Sequence, residues 1–197
     1  YNEGMRTADV VIFAGATKGR YLSWQVKQFF DRSFFNTHTP TLKGKQIGFL
    51  ISGPFQQLAN LQQILQAYVE WQKANLIGFV SDEYKASDQL DGQIDSLAQN
   101  TAAFLESFYQ RPSTFLGVGG MKIFRDDIWG RLRFVFQADH NHYTENGYYD
   151  FPQNEKATLE FNEQMIEAMA DPNIRQSMRD TFKTNMVKPH QQVVDQA

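Results

Sequence analysis

Apolar positions along the chain fall into three short runs, and each run is followed by a stretch with helical period. Asp9 to Ala14 is β-branched and aromatic and predicts a strand buried on both faces, as in a parallel sheet. A small-residue loop, Gly15 to Tyr21, follows it. Leu22, Val26, Phe29 and Phe30 then recur at i, i+4, i+7 and i+8, the stripe of a helix lying on a sheet. A polar stretch with Pro40 and Gly44 leads to a second strand, Gln46 to Ile51, closed by Ser52-Gly53-Pro54. Leu58, Leu61, Leu65, Tyr68 and Gln72 trace a second helix, with Ile64 and Trp71 widening its apolar face. Ala74 to Val80 predicts the third strand. Ile94, Leu97, Thr101, Phe104, Leu105 and Phe108 predict the third helix, which Arg111-Pro112 ends.

Strands and helices alternating at this spacing call for right-handed crossovers and a parallel sheet. Residues 1–111 therefore read as an α/β layered domain, and residues 112–197 as an extension of different character. From Pro112 to Pro152 glycine and aromatic residues dominate without a clean helical period, which predicts irregular structure. A helix over about 155 to 170 follows. The last helix starts at Asp171-Pro172, an N-cap with Pro at the first helical position. In it Ile174, Met178, Phe182 and Met186 form a narrow apolar stripe suited to core or interface packing. Phe115, Phe124, Trp129, Phe134, Phe136, Tyr143, Tyr148, Tyr149 and Phe151 are too many aromatics to leave in water. They are expected to pack on the α/β domain or on a second subunit, so a homo-oligomer is expected.

Composition narrows the function classes. With 42% apolar and 21% charged residues the chain reads as globular, and its net charge of −3 argues against nucleic acid or an anionic membrane as partner. No apolar run approaches the roughly 20 residues that span a bilayer. Cysteine is absent, which removes disulfides and thiolate chemistry and suits a reducing cytoplasm. Tyr1 stands first and a strand begins within a few residues, so sequence upstream is expected. The strand at Val10 to Ala14 then needs cover for its second edge, from an upstream strand, from Arg133 to Gln137, or from a second subunit.

Several clusters invite chemistry and have plainer readings. Asp139-His140-Asn141-His142 on an extended segment brings two imidazoles and a carboxylate together, but reads better as a solvated loop than as a metal site. Gly117-Val118-Gly119-Gly120 lacks the spacing of a dinucleotide fingerprint and predicts a turn or a close backbone approach. Arg125, Arg131 and Arg133 among Trp129, Phe134, Asp126 and Asp127 predict internal ion pairs or a subunit contact. Lys27 and Asp31, one helical turn apart, predict a surface pair.

The strand, small-residue loop and Leu22-Ser23, Lys27, Phe29, Asp31-Arg32 resemble the NADPH-dependent FMN reductase branch of the flavodoxin-like proteins. Gly44-Lys45 before the second strand and Ser52-Gly53 after it match the same family, over about residues 5 to 110. The resemblance implies a flavodoxin-like three-layer α/β sandwich with a parallel sheet, here followed by a mostly helical and irregular extension. It implies FMN at the carboxyl ends of the strands and NAD(P)H as co-substrate. A small-molecule or protein electron acceptor would follow, in a cytoplasmic enzyme. The implied cofactor-binding residues are Gly15, Ala16, Thr17, Lys18, Gly19, Arg20, Tyr21 and Ser23 in the first loop, and Ser52, Gly53 and Pro54 in the second. Small residues there admit backbone amides to the ring edge, Tyr21 or Trp24 would stack, and Lys18 or Arg20 would offset negative charge on the reduced flavin. No residue acting as general acid or base, and no metal, is implied.

Overall fold

The structure, a computed structural model, describes residues 2–33, 38–83, 86–150 and 156–196. The chain forms two compact units, Tyr1–Phe124 and Arg125–Ala197.

The first unit opens on a helix, α1 (Asn2–Thr7), followed by β1 (Val10–Lys18), β2 (Tyr21–Leu22), α2 (Trp24–Arg32), β3 (Gln46–Ser52), α3 (Ala59–Trp71), β4 (Asn75–Ser81) and α4 (Ser87–Glu106). The sheet order is β2-β1-β3-β4, with β1, β3 and β4 parallel and β2 antiparallel. Each parallel connection carries a helix, as a crossover requires. Side chains alternate across the pleat. Val11, Phe13, Ile47, Phe49 and Ile51 pack with Val26 and Phe30 of α2 and with Leu61, Leu65 and Val69 of α3. Val10, Leu50, Ile77 and Val80 pack with Leu90, Leu97 and Phe104 of α4 on the other face. The result is three layers, helices on sheet on helix, the α/β architecture expected.

Register explains much of the core's order. Phe13 pairs with Phe49 and Phe49 with Phe79, so three rings stand in line across neighbouring strands. Their centroids are 5.6 and 5.1 Å apart and their planes nearly parallel. Tyr68 meets Phe30 edge-on at 4.9 Å, and burial pushes its phenol up to about 12 against a smaller opposing effect from the Ser33 hydrogen bond.

Two expectations for this unit are corrected. β1 is not buried on both faces: its residues alternate, and Ile12 is 41% exposed on the α4 side. Its second edge is met, among the described residues, by β2 alone, at Thr17 and Lys18. Arg133 to Gln137 forms a turn leading into a helix and so supplies no strand. The reason is local: Val135 and Phe136 both donate to the Leu132 carbonyl, which closes the turn.

The stretch after Pro112 is more regular than its composition predicts. Helix α5 (Phe115–Asp127) begins in the first unit, where the buried Glu70 carboxylate at the end of α3 receives its first amides. Thr114 N lies 2.8 Å and Gly117 N 3.0 Å from Glu70 Oε2, with Thr114 Oγ1 2.9 Å from Oε1. A side chain at Gly117 would strike Glu70, and one at Gly120 would strike the Trp71 indole. The glycines read as a turn or a close approach are therefore the second of these, within a helix.

In the second unit a π-helical segment (Ile128–Leu132) precedes α6 (Gln137–Glu145), α7 (Lys156–Ala168), α8 (Pro172–Phe182), a further π-helical segment (Lys183–Val187) and α9 (Lys188–Asp195). The Asp171 side chain accepts from Asn173 N at 2.7 Å, the N-cap expected there. The tail's aromatics largely pack on one another. Trp129 meets Tyr149 edge-on at 4.9 Å, Tyr143 lies 5.5 Å from Tyr148, and Phe134 meets Phe161 at 6.0 Å. Phe115, in contrast, is 87% exposed. Phe124 packs against Trp71 within the first unit, and Phe151 lies outside the described residues. The stripe of Ile174, Phe182 and Met186 is exposed in the single chain and so is not part of its core.

Candidate functional site

The carboxyl ends of β1, β3 and β4 are where an open parallel sheet places a ligand. Gly15, Ala16, Thr17 and Lys18 do not form a loop here. They continue β1, pairing Gly15 with Ile51 and Ala16 with Ser52. Gly19 and Arg20 make a two-residue turn, with Gly19 at φ +68, and Tyr21 returns in β2 opposite Lys18. The predicted loop is thus the end of a strand and a tight hairpin, because Lys18 pairs with Tyr21 across a glycine that turns the chain at once. Ser23 stands at the N-cap position of α2 without a capping bond from its side chain, and its amide donates to Ala16 O at 2.7 Å.

The second predicted segment sits beside the first. Thr17 Oγ1 donates to Ser52 O at 3.3 Å. Gly53 adopts φ +102, and any side chain there would run into Thr17 Oγ1, so the turn needs glycine twice over. Pro54 is exposed at the turn's crest. All the residues assigned to the site, Gly15 to Tyr21, Ser23 and Ser52 to Pro54, therefore lie at one end of the sheet.

Two residues that sequence reasoning passed over organise this turn. Asp82, just past β4, accepts from Ser52 Oγ and from Gly53 N, both at 2.7 Å. Glu83, buried, accepts from Gln56 N at 2.5 Å and from Gln57 Nε2 at 3.0 Å. Ser81 Oγ donates to Gly53 O at 3.2 Å and accepts from Glu83 N. The signal was in the sequence, as Ser81-Asp82-Glu83 at the carboxyl end of a parallel strand. Beside the turn opens a cleft of about 500 Å³ whose wall is apolar (Ala14, Leu50, Val80, Leu90, Ile94) and whose rim carries Ser52 and Asp82.

The electrostatics of this end are mixed. Lys18 and Arg20 are exposed on the hairpin. Burial pushes the Tyr21 phenol up, partly offset by the nearby Lys27 ammonium. Lys27 and Asp31 form the expected surface pair at 2.5 Å, and the hydrogen bond to Asp31 raises the Lys27 pKa. Trp24, at the start of α2, is 66% exposed and does not line the cleft.

No family model matches the chain, and no curated protein does. A solved structure, the Trp repressor binding protein from Bacillus subtilis, superposes with a TM-score of 0.39. The match has 18% identity and covers 51% of this chain and 67% of the other. A likeness of that size carries no argument about function.

The other clusters resolve into structural roles. Asp139, His140 and His142 lie on α6, not on an extended segment, because the run Gln137–Glu145 closes helical hydrogen bonds from Phe136 O onward. His140 Nδ1 is 3.0 Å from Tyr149 Oη, and burial lowers its pKa, the Arg133 guanidinium adding to this. Among the described residues no group of three or more His, Asp or Glu side chains is placed to hold a metal. Arg125 pairs with Asp126 and with Asp150, and Arg131 with Asp127. The Arg133 guanidinium stacks 4.3 Å over the Trp129 ring.

The fit to a flavin is that of the ring end. An apolar cleft beside a constrained turn would suit a flat heteroaromatic ring. The amides of Gly53 and Gln56, which would otherwise face an anion, are already engaged by carboxylates.

Proposed function

We propose that the chain is an FMN-dependent NAD(P)H oxidoreductase, in which hydride passes from a nicotinamide to flavin and electrons go on to a small-molecule or protein acceptor. The observation that carries this reading is the meeting of the two segments at the carboxyl end of the sheet, with Thr17 against Ser52 and Gly53 beside an apolar cleft. A bound flavin supplies the redox chemistry. The chain's own work is binding and orientation: Gly53 fixes the turn, the cleft wall excludes water, and Lys18 and Arg20 place positive charge at the hairpin. No proton transfer by a side chain is needed. The resemblance of Leu22-Ser23, Lys27 and Asp31-Arg32 to the flavin reductases supports the choice of cofactor.

The test is a titration of a fixed amount of FMN with the protein, followed by flavin fluorescence. Saturable quenching is expected, and replacing Gly53 with Val should weaken it far more than His142→Ala. Flavin fluorescence unchanged across the titration would overturn the reading. The engaged amides of Gly53 and Gln56 favour a second reading, a flavodoxin-like interaction or electron-transfer module that oxidises no nicotinamide itself. Flavin binding without NADH or NADPH oxidation would select the electron-transfer form of it.

A further inference from the structure

We propose that the second unit binds a small monocarboxylate, which accepts from the Arg133 guanidinium and the Trp129 indole N–H. The site uses residues of that unit alone and does not depend on the flavin reading above.

Of the three arginines at the start of this unit, two are paired: Arg125 with Asp126 and Asp150, Arg131 with Asp127. Arg133 is the most deeply buried, only 8% exposed, and among the described residues no carboxylate lies within ion-pair distance of it. Its Nη2 donates to Trp129 O at 3.1 Å, but its Nε–H has no acceptor. The Trp129 Nε1–H, in the ring the guanidinium stacks over at 4.3 Å, is buried and has none either. The groups that favour the charge act only from a distance: the Tyr149 phenol, pushed up to about 12, is neutral, and Glu163 is exposed. A buried charge without a partner is costly, and an anion that pairs with it recovers that cost.

The two donors belong to the π-helical segment Ile128–Leu132 and to Arg133, its C-cap, and π-helical turns recur at functional sites. Asn162, fully buried, holds that segment by donating from Nδ2 to Gly130 O. A water molecule would satisfy the two donors but leave the charge unmatched, whereas an anion does both. The class of anion follows from the walls. Tyr149 meets Trp129 edge-on at 4.9 Å and the His140 ring is 6.2 Å from it, so the surroundings are aromatic. A phosphate dianion loses more hydration than two N–H groups among rings repay. One carboxylate on an aromatic or aliphatic body matches a single positive charge and two donors. Trp129, His140 and Tyr149 are each half-buried, so the cluster reaches solvent through its rings.

The experiment titrates the isotope-labelled full chain with benzoate and follows the Trp129 indole N–H and Arg133 Nε–H resonances by NMR. The indole resonance is identified as the one missing from Trp129→Phe. Both should move together and reach half-saturation at about 1 mM. Benzylamine, a cation of similar shape, should move neither. Arg133→Met keeps the bulk and removes the charge, and should abolish the Trp129 movement while that resonance stays dispersed as in a folded chain. Resonances that do not move by about ten times the expected half-saturation would overturn the proposal. So would inorganic phosphate moving them at a lower concentration than benzoate, or a Trp129 movement that survives in Arg133→Met. The wild-type titration decides the matter even if the variant does not fold.

Discussion

Removing the Glu70 carboxylate tests how the Gly-rich helix α5 is held. In Glu70→Ala four donors lose their acceptor: Thr114 N, Thr114 Oγ1, Gly117 N and Gln66 Nε2. They do not suffer equally. Thr114 is exposed and Gln66 half-buried, so water replaces much of what they lose, whereas Gly117 is buried. A hydrogen bond to a charged group contributes about 1.5–3 kcal/mol, and a buried donor left bare costs about 1–3 kcal/mol. The packing of the Glu70 stem against Gly117 goes too, so the sum should be about 3–4 kcal/mol. For a unit of this size that lowers Tm by roughly 10 °C. Glu70→Gln keeps the volume and one acceptor but turns an amide N–H₂ toward the donors, and should lose about half as much. Urea unfolding followed by circular dichroism and by tryptophan emission measures both, because Trp71 lies against Gly120. A loss below about 1 kcal/mol in Glu70→Ala would refute the claim that this carboxylate caps α5.

Other expectations are simpler to state. Gly53→Val forces a β-branched residue into positive φ against Thr17 and should destabilise the first unit by about 2 kcal/mol or more, read by thermal melting. Gly120→Ala should displace the Trp71 indole and shift its emission, whereas Gly130→Ala, where nothing lies within reach of an added methyl, should leave it unchanged. Burial holds the Tyr68 and Tyr149 phenols neutral up to about 12, above their unfolded value near 10. Their contribution to stability is therefore complete below about pH 10 and is lost as pH rises toward 12. Tyrosinate absorbance should rise together with unfolding over that window, and ionisation of all eight tyrosines near pH 10 in the folded protein would contradict it.

The parallel strands and their helices were legible because each carries a strong period over enough residues: Ile47 to Ile51, for example, is apolar throughout, and Leu61, Leu65 and Tyr68 mark one face of α3. The end of β1 was not. Gly15, Ala16 and Thr17 are small, and smallness suggests a loop, yet backbone pairing with Ile51 and Ser52 needs no side chain at all. Helix α5 was hidden for a related reason. Its glycines lower helix propensity, and for Gly117 and Gly120 only the partner explains them: Glu70 and Trp71 occupy the space their side chains would need. The candidate site was half legible. Ser52 and Gly53 announce a turn, but Asp82 and Glu83, the groups that hold it, lie about thirty residues away along the chain.

The last stretch of the chain has a consequence for how the protein melts. From Asp171 to Gln196 nearly every side chain is exposed, with Met178 half-buried. A helix packed on a core shares the core's cooperativity, but one that buries almost nothing is governed by helix–coil equilibrium, gradual in temperature and marginal near about 15 residues. Part of the helical circular dichroism should therefore fade steadily from low temperature, well before the sheet gives way. A melting curve fitted with flat baselines would count that fading as part of one sharp transition, and the enthalpy so obtained would be too small for the unit that unfolds cooperatively.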